Sequence, residues 1–335
     1  MKTCLLLLAL FASLPAASLE LVSLHRIWDQ APHSAFGDII RFRERFFCVF
    51  REGLGHAAKP GQEDDGKLRV IASQDGNQWR SEALITEPGI DLRDPHFSIT
   101  PANQLMIVAG GSRYPKGVYQ GRQSRVFFSK NGSKWTHPLA VLEEGHWLWR
   151  VTWHKDRAWG VSKYSALGKE ITAESRRTRL VSSADGLEWK TISDLSIPGS
   201  DETALRFLPN GRMVSLVRRT WDDGNVAAIG VSKPPYTEWS FNKTGHFIGG
   251  PNFLVLDAAT LVGGGRHYLG GDRTTPRTGI GLMTLNSYEP SLLLPSGGDN
   301  SYPGFLLHEG LLWTMYYSSH EGKAAIYLAK IRVHK

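Results

Sequence analysis

Short runs of alternating apolar and polar residues fill the chain from about residue 19 onward. Turns rich in Gly, Asn, Asp and Pro separate these runs, a pattern typical of β-strands joined by hairpins. No segment shows the 3.6-residue apolar periodicity of an amphipathic helix over a useful length. The patterning therefore predicts an all-β protein.

One heptapeptide recurs at nearly even spacing. Ser73–Trp79 (SQDGNQW) reappears at 129–135 (SKNGSKW) and 183–189 (SADGLEW), with a worn fourth copy at 232–239. The steps between the initial serines are 56, 54 and 49 residues. Asp-Gly or Asn-Gly between two alternating runs is a strong hairpin signal, so each copy predicts a tight turn between two strands. We expect each turn to fold back on itself and wedge against a neighbouring unit.

The spaces between the turns hold further strand-like runs. Six segments have the character of the first strand of a unit: 33–40, 92–99, 147–153, 202–207, 252–256 and 302–307. Units of about 50 residues then account for nearly all of residues 19–335, a period typical of four-stranded propeller blades. The chain is thus predicted to form a six-bladed β-propeller with antiparallel blades. A β-sandwich is the alternative, but it does not predict equal steps with the same turn.

The last unit lacks a fourth strand after Arg332. Residues 21–27 form an alternating run that can supply this strand, and pairing of the two chain ends would close the ring. Residues 1–18 are separate from this domain. Lys2, the apolar run 5–14 and the small residues 16–18 have the order of a secretory signal peptide, and the run is too short to span a bilayer. We therefore expect a secreted or periplasmic protein with no membrane insertion.

Composition narrows the function classes. The 335 residues include 41% apolar residues, enough for a large core, and 2 cysteines. Removal of the signal peptide leaves Cys48 alone, inside an apolar run that indicates a buried side chain rather than a nucleophile. The formal net charge of +7 comes from basic residues interspersed with acids, which disfavours a nucleic-acid partner. Spacing predicts neither a metal site nor a cofactor, and we expect a monomer.

Blade geometry sorts the charged residues between two faces. The heptapeptide turns mark one face, so the opposite, front face collects the starts of first strands and the ends of second strands. Charged and polar residues at these front positions include His33, Arg51, Arg93, Asp94, Arg150, Lys163, Glu202, Arg218, Arg266 and Tyr302. Burying such an arginine-rich ring costs free energy unless the ring binds a ligand. The planar guanidinium group matches the geometry of a carboxylate. The ring therefore indicates an anionic ligand, although arginine–carboxylate pairs that join the blades are an alternative.

The same residues resemble the sialidase (neuraminidase) family, whose bacterial members are six-bladed propellers. The heptapeptides are similar to Asp-box motifs, the stretch from Glu202 to Arg218 is similar to a glutamate–arginine hairpin of that family, and Ser301–Phe305 (SYPGF) resembles its tyrosine segment. The resemblance implies an exo-glycoside hydrolase acting on a terminal anionic sugar. By the same resemblance, Tyr302 is the nucleophile and Glu202 its base, while Arg218 and Arg266 clamp the substrate carboxylate and Asp65 is the general acid.

The chain departs from the family in its first blade. Sialidases have an arginine there that completes a three-arginine clamp, but residues 33–38 (HSAFGD) contain none. Arg51, Arg93 and Arg150 are candidates to replace it, and Asp94 joins Arg93 among the predicted substrate-binding residues. Asp38, Asp64 and Asp94 remain alternatives to Asp65 as the acid. A non-catalytic glycan-binding propeller is the alternative function, whereas a purely structural propeller would favour a hydrophobic front.

Overall fold

The structure, a computed structural model, describes residues 18–62, 66–165, 177–220, 225–257, 260–269 and 274–334. Within these residues the chain forms six four-stranded sheets, each antiparallel throughout, and one short 3₁₀ turn at Pro115–Gly117. The prediction of a six-bladed all-β propeller is confirmed. The predicted signal peptide falls almost wholly outside the described residues, as do Asp64 and Asp65, so those predictions stay predictions. No helix in the described ranges has the length and apolar character needed to cross a bilayer.

Each of the first five blades uses four consecutive strands in meander order. Blades 1 and 2 contain β2 (His33–Phe42), β3 (Arg45–Gly53), β4 (Lys67–Ser73), β5 (Arg80–Ile85), β6 (Asp91–Ile99), β7 (Leu105–Arg113), β8 (Gly121–Ser129) and β9 (Leu139–Val141). Blades 3 and 4 contain β10 (His146–His154), β11 (Arg157–Tyr164), β12 (Arg177–Ser183), β13 (Trp189–Asp194), β14 (Ser200–Phe207), β15 (Met213–Arg219), β16 (Ala228–Ser232) and β17 (Ser240–Lys243). Blade 5 contains β18 (Gly249–Val255), β19 (Leu261–Tyr268), β20 (Pro276–Met283) and β21 (Tyr288–Leu294).

Both ends of the chain complete blade 6. Its strands β22 (Asn300–His308), β23 (Leu311–Ser318) and β24 (Ala325–His334) are joined at the outer edge by β1 (Ser18–Trp28). β1 pairs antiparallel with β24 from Ser18 opposite His334 to Trp28 opposite Ile326. The predicted closure of the ring by the N-terminal strand is therefore correct.

The recurring turns join the third and fourth strands of blades 1 to 3. In the turn after β8, the Ser129 hydroxyl accepts the Gly132 N–H at 2.8 Å, and Asn131 Oδ1 accepts two further backbone N–H groups. The Trp135 indole then donates to the Gly132 carbonyl at 2.9 Å, and the other two turns repeat these bonds. A Cβ on Gly132 would lie 2.3 Å from the Phe47 ring of blade 1, so this turn does wedge against its neighbour.

The apolar core lies between adjacent blades. Val49 and Leu68 of blade 1 pack with Leu105 and Phe127 of blade 2 in one buried cluster, and comparable clusters join the other blades. Cys48 is fully buried in such a cluster, and burial raises the pKa of its thiol well above the usual range. Cys48 is therefore a packing residue, as its apolar context predicts.

Polar side chains of the first strands fill the axis of the ring. Arg150 forms an ion pair with Asp38 at 2.9 Å and donates to the Pro303 carbonyl at 3.1 Å. Asn252 donates to the same carbonyl at 3.1 Å and accepts a hydrogen bond from Arg206 at 2.9 Å. These bonds connect the first strands of five blades, and they hold the backbone that follows Tyr302.

Candidate active site

Every first strand contains a register shift near its front end. The shifts fall between Ala35 and Gly37, Arg93 and His96, Leu148 and Val151, Ser200 and Thr203, Gly249 and Asn252, and Ser301 and Gly304. Such bulges bend a strand and re-aim its side chains. Phe36, Asp94 and Tyr302 adopt positive φ values of 52°, 48° and 55° at three of these bulges. All three side chains line one front cavity of about 320 Å³.

Tyr302 and Glu202 meet in this cavity from blades 6 and 4. The Tyr302 hydroxyl donates to Glu202 Oε1 at 2.9 Å, and both residues are buried. Glu202 Oε2 accepts the Gly250 N–H at 2.9 Å. Gly250 has φ +60°, and a Cβ there would lie 2.5 Å from the Tyr302 ring. The close approach of this backbone therefore fixes both the carboxylate and the phenol.

Two predicted clamp arginines flank the tyrosine. Arg218 Nη1 donates to Glu202 Oε2 at 2.8 Å and to the Tyr302 hydroxyl at 3.2 Å. The Arg266 guanidinium carbon lies 5.4 Å from the Tyr302 ring centre, and its Nη2 donates to Asp299 at 3.1 Å and to the Tyr317 hydroxyl at 2.8 Å. Each guanidinium is thus held beside the phenol by a carboxylate partner.

Asp299 also binds two histidines. His33 Nε2 lies 3.0 Å and His56 Nδ1 2.7 Å from Asp299 Oδ2. The three ligand atoms have a spacing that a metal ion could use. However, the other Asp299 oxygen already accepts hydrogen bonds from Tyr317 and Arg266. We interpret the group as a hydrogen-bonded support that orients Arg266.

The pKa values of the cavity acids differ in direction. Burial alone would raise the pKa of Glu202, but the charges of Arg218 and Lys163 hold it at about 2. Burial raises the pKa of Asp94 to about 6, a shift that nearby Arg93 opposes and the charge of Glu202 reinforces. Burial, followed by the charge of Glu202, raises the pKa of the Tyr302 phenol above its usual range. The site thus combines an ionised carboxylate, a neutral phenol and a carboxyl group whose pKa is raised to about 6.

The structure brings most of the predicted site residues together. Tyr302, Glu202, Arg218 and Arg266 line the cavity with the strand-start pair, Arg93 and Asp94. Phe36 stands in the first-blade segment that lacks the sialidase arginine, and the Arg93 guanidinium lies 5.2 Å from its ring centre. Of the three proposed replacements for that arginine, Arg93 is the one that lines the cavity.

Two predicted substrate-binding arginines lie behind the cavity wall. Arg51 is fully buried and bonds to Asp91 at 2.6 Å, while Arg150 is held by Asp38 and the Pro303 carbonyl. Their side chains therefore support the wall instead of facing a ligand, a correction to the sequence analysis. Asp38 is likewise occupied by Arg150 and the Phe97 N–H, which removes it as an acid. Asp65 lies outside the described residues.

Sequence reasoning missed several cavity residues. Phe36, Ser112, Tyr119, Arg122 and Trp147 line the cavity but were not proposed. Tyr119 and Arg122 come at the end of the loop that joins the second and third strands of blade 2, just before and at the start of β8. Including the starts of third strands among the front positions would have found Arg122.

Comparisons with known proteins support the fold. A protein of unknown function from Dyadobacter fermentans has a TM-score of 0.78 at 19% identity, with 96% of this chain and all of that chain covered. Trypanosoma rangeli sialidase has a TM-score of 0.68 at 12% identity, and the chain spans about 60% of its length. An α-L-arabinofuranosidase from Fusarium graminearum has a TM-score of 0.68 at 14% identity, with 93% and 98% coverage. At these identities the likeness shows the propeller fold alone.

Sequence comparison adds no family. A scan against protein-family models gives no match, and neither does a search of curated proteins.

Proposed function

We propose that this protein is an exo-acting glycoside hydrolase that removes a terminal anionic sugar from a glycan. The hydrogen bond of 2.9 Å between the Tyr302 hydroxyl and Glu202, with Arg218 on both groups, carries this proposal. A neutral phenol suits an anomeric carbon that bears or adjoins a carboxylate, because a carboxylate nucleophile would be repelled there. The sialidase and the α-L-arabinofuranosidase with similar structures add support by fold analogy alone.

Tyr302 needs its neighbour to react, because burial raises its pKa. In the proposed first step, the phenol oxygen bonds to the anomeric carbon while its proton passes to Glu202. Arg218 holds the resting Glu202 strongly ionised and so limits its basicity. A substrate carboxylate on Arg218 would share that positive charge and make Glu202 a better base when substrate is bound.

Asp94 is our proposed proton donor to the leaving oxygen. It lines the same cavity, and its pKa of about 6 leaves a protonated fraction near neutrality. The carbon–oxygen bond breaks as this proton is transferred. In the second step Asp94 takes a proton from water, the water oxygen replaces Tyr302 on the anomeric carbon, and Glu202 returns the phenolic proton.

Turnover and trapping test the proposal. Purified protein should hydrolyse 4-methylumbelliferyl glycosides of N-acetylneuraminic acid or of a uronic acid, and Tyr302→Phe should lower kcat by at least about 100-fold. Tyr316→Phe is a matched control, because Tyr316 bonds to the Pro295 carbonyl and lies outside the cavity. A fluorinated glycosyl donor should add one sugar mass to the Tyr302 peptide. Equal turnover by wild type and Tyr302→Phe would contradict the assignment.

A glycan-binding propeller without turnover is the second candidate. Phe36 favours it, because this residue leaves the first blade without the arginine that the sialidase resemblance leads us to expect. This function predicts saturable binding of anionic sugars that Arg218→Ala removes, with no product released from any of the glycosides above.

A further inference from the structure

The basic side chains of the cavity differ in whether a carboxylate pairs with them. The lining contains five basic side chains, Arg93, Arg122, Lys163, Arg218 and Arg266. Four of them have a carboxylate partner within 3.2 Å: Asp91 for Arg93, Asp201 for Lys163, Glu202 for Arg218 and Asp299 for Arg266. Arg122 has no ion pair with any residue in the described part of the chain.

The contacts of Arg122 are neutral. Its Nη2 donates to the Ser165 hydroxyl at 3.0 Å, and its Nε reaches the Gly145 carbonyl at 3.4 Å. Its guanidinium carbon lies 5.4 Å from the centre of the Trp147 ring. The Lys163 ammonium lies 5.7 Å from the same ring centre. Burial lowers the pKa of Arg122, and interactions with Tyr119, Tyr114 and Asp94 oppose this shift. A half-buried guanidinium whose hydrogen-bond partners are neutral is costly unless an anion reaches it.

Arg122 lies on a different wall from the proposed clamp. It is the second residue of β8 in blade 2 and stands over Trp147 of blade 3, whereas Arg218 and Arg266 belong to blades 4 and 5. Tyr119 lines the same wall, with 46% of its surface exposed and its ring centre 5.6 Å from that of Tyr114. Exposed aromatic rings beside a cation offer a surface for a sugar ring with a charged substituent.

We propose that Arg122 binds a second anionic group of the substrate, separate from the group that faces Arg218 and Arg266. The inference rests on the proposed function for the identity of the ligand as a saccharide. The planar guanidinium can donate two parallel hydrogen bonds to a carboxylate or to a sulfate ester. The preferred glycan therefore carries two acidic groups, either on one sugar or on two linked sugars.

Equilibrium binding tests this inference without requiring turnover. The protein is Tyr302→Phe, alone or combined with Arg122→Gln, Arg122→Lys or Arg332→Gln. The last is a matched charge control, because Arg332 is exposed and pairs with Glu20 at the outer edge of blade 6. Four disaccharide probes are titrated by ligand-observed NMR: lactose, a uronate–N-acetylhexosamine disaccharide, its sulfate ester, and digalacturonate. The third and fourth probes distinguish a sulfate from a carboxylate as the second acidic group.

We expect at least one doubly charged probe to bind about tenfold more tightly than the singly charged disaccharide. Arg122→Gln should abolish that gain, Arg122→Lys should restore part of it, and Arg332→Gln should leave it intact. Equal affinity for singly and doubly charged probes, an unchanged gain in Arg122→Gln, or no binding of any charged probe overturns the inference. Binding with this pattern but without hydrolysis by wild type would uphold the inference and reject the hydrolase proposal.

Discussion

Replacing Asp94 with asparagine should make the folded protein more stable at neutral pH. Asp94 is buried, and burial together with the charge of Glu202 raises its pKa from 3.8 to about 6. Asparagine keeps the shape of the side chain and removes the ionisation. The exchange should therefore relieve the cost of holding a carboxylate in this position.

The pH dependence follows from proton linkage. Between about pH 4 and 6 the folded protein keeps a proton on Asp94 that the unfolded chain has lost, so this group lowers stability as the pH rises. Above about pH 6 Asp94 is ionised in both the folded and the unfolded protein, so the whole free-energy cost of burying its charge is present. Moving the pKa from 3.8 to about 6 corresponds to about 3 kcal/mol in the free energy of unfolding.

Urea unfolding followed by tryptophan fluorescence checks this prediction at pH 4, 5, 6, 7 and 8. The stability gained by Asp94→Asn should be near zero at pH 4 and rise to about 3 kcal/mol at pH 7 and above. Asp38→Asn is a control with the opposite sign, because it leaves Arg150 buried without its partner. A stability gain from Asp94→Asn that does not vary with pH would refute the assigned environment of Asp94. So would a wild type that is more stable than Asp94→Asn at pH 8.

Two glycine substitutions separate the site from the scaffold. Gly250→Ala places a Cβ 2.5 Å from the Tyr302 ring, so kcat for the anionic glycosides should fall about 100-fold, and circular dichroism should show that the fold is retained. Gly132→Ala drives a Cβ into Phe47 and should lower the free energy of unfolding in urea by about 1–3 kcal/mol without lowering kcat. Gly211→Ala has a similar positive φ and nothing within 4 Å, so a loss as large as that of Gly132→Ala would refute the wedge.

The sequence predicts the architecture well because the architecture repeats. The turn from Ser129 to Trp135 is specified by local chemistry, in which serine, asparagine and glycine satisfy the backbone within a few residues. Its recurrence fixes the blade period, and strand counting then places β1 next to β24. The turn depends on neighbours in sequence, and the pairing of β1 with β24 follows from the blade count although these strands lie some 300 residues apart.

The sequence does not predict the direction in which the site side chains point. A shift of one residue in a strand turns every following side chain to the other face. Each first strand has such a shift at the front, so alternation alone cannot decide that Asp94 faces the cavity while Arg150 turns to Asp38. The positive φ of Phe36 and Tyr302 is set by tertiary contacts and has no local sequence signal.

Pairing of β1 with β24 makes the last blade depend on residues synthesised some 300 positions apart. Until β24 has left the ribosome, β1 has no partner, and a chain without β24 leaves an open edge able to recruit other strands. Deletion of β24 (Ala325–His334) should therefore expose the chain to aggregation or proteolysis.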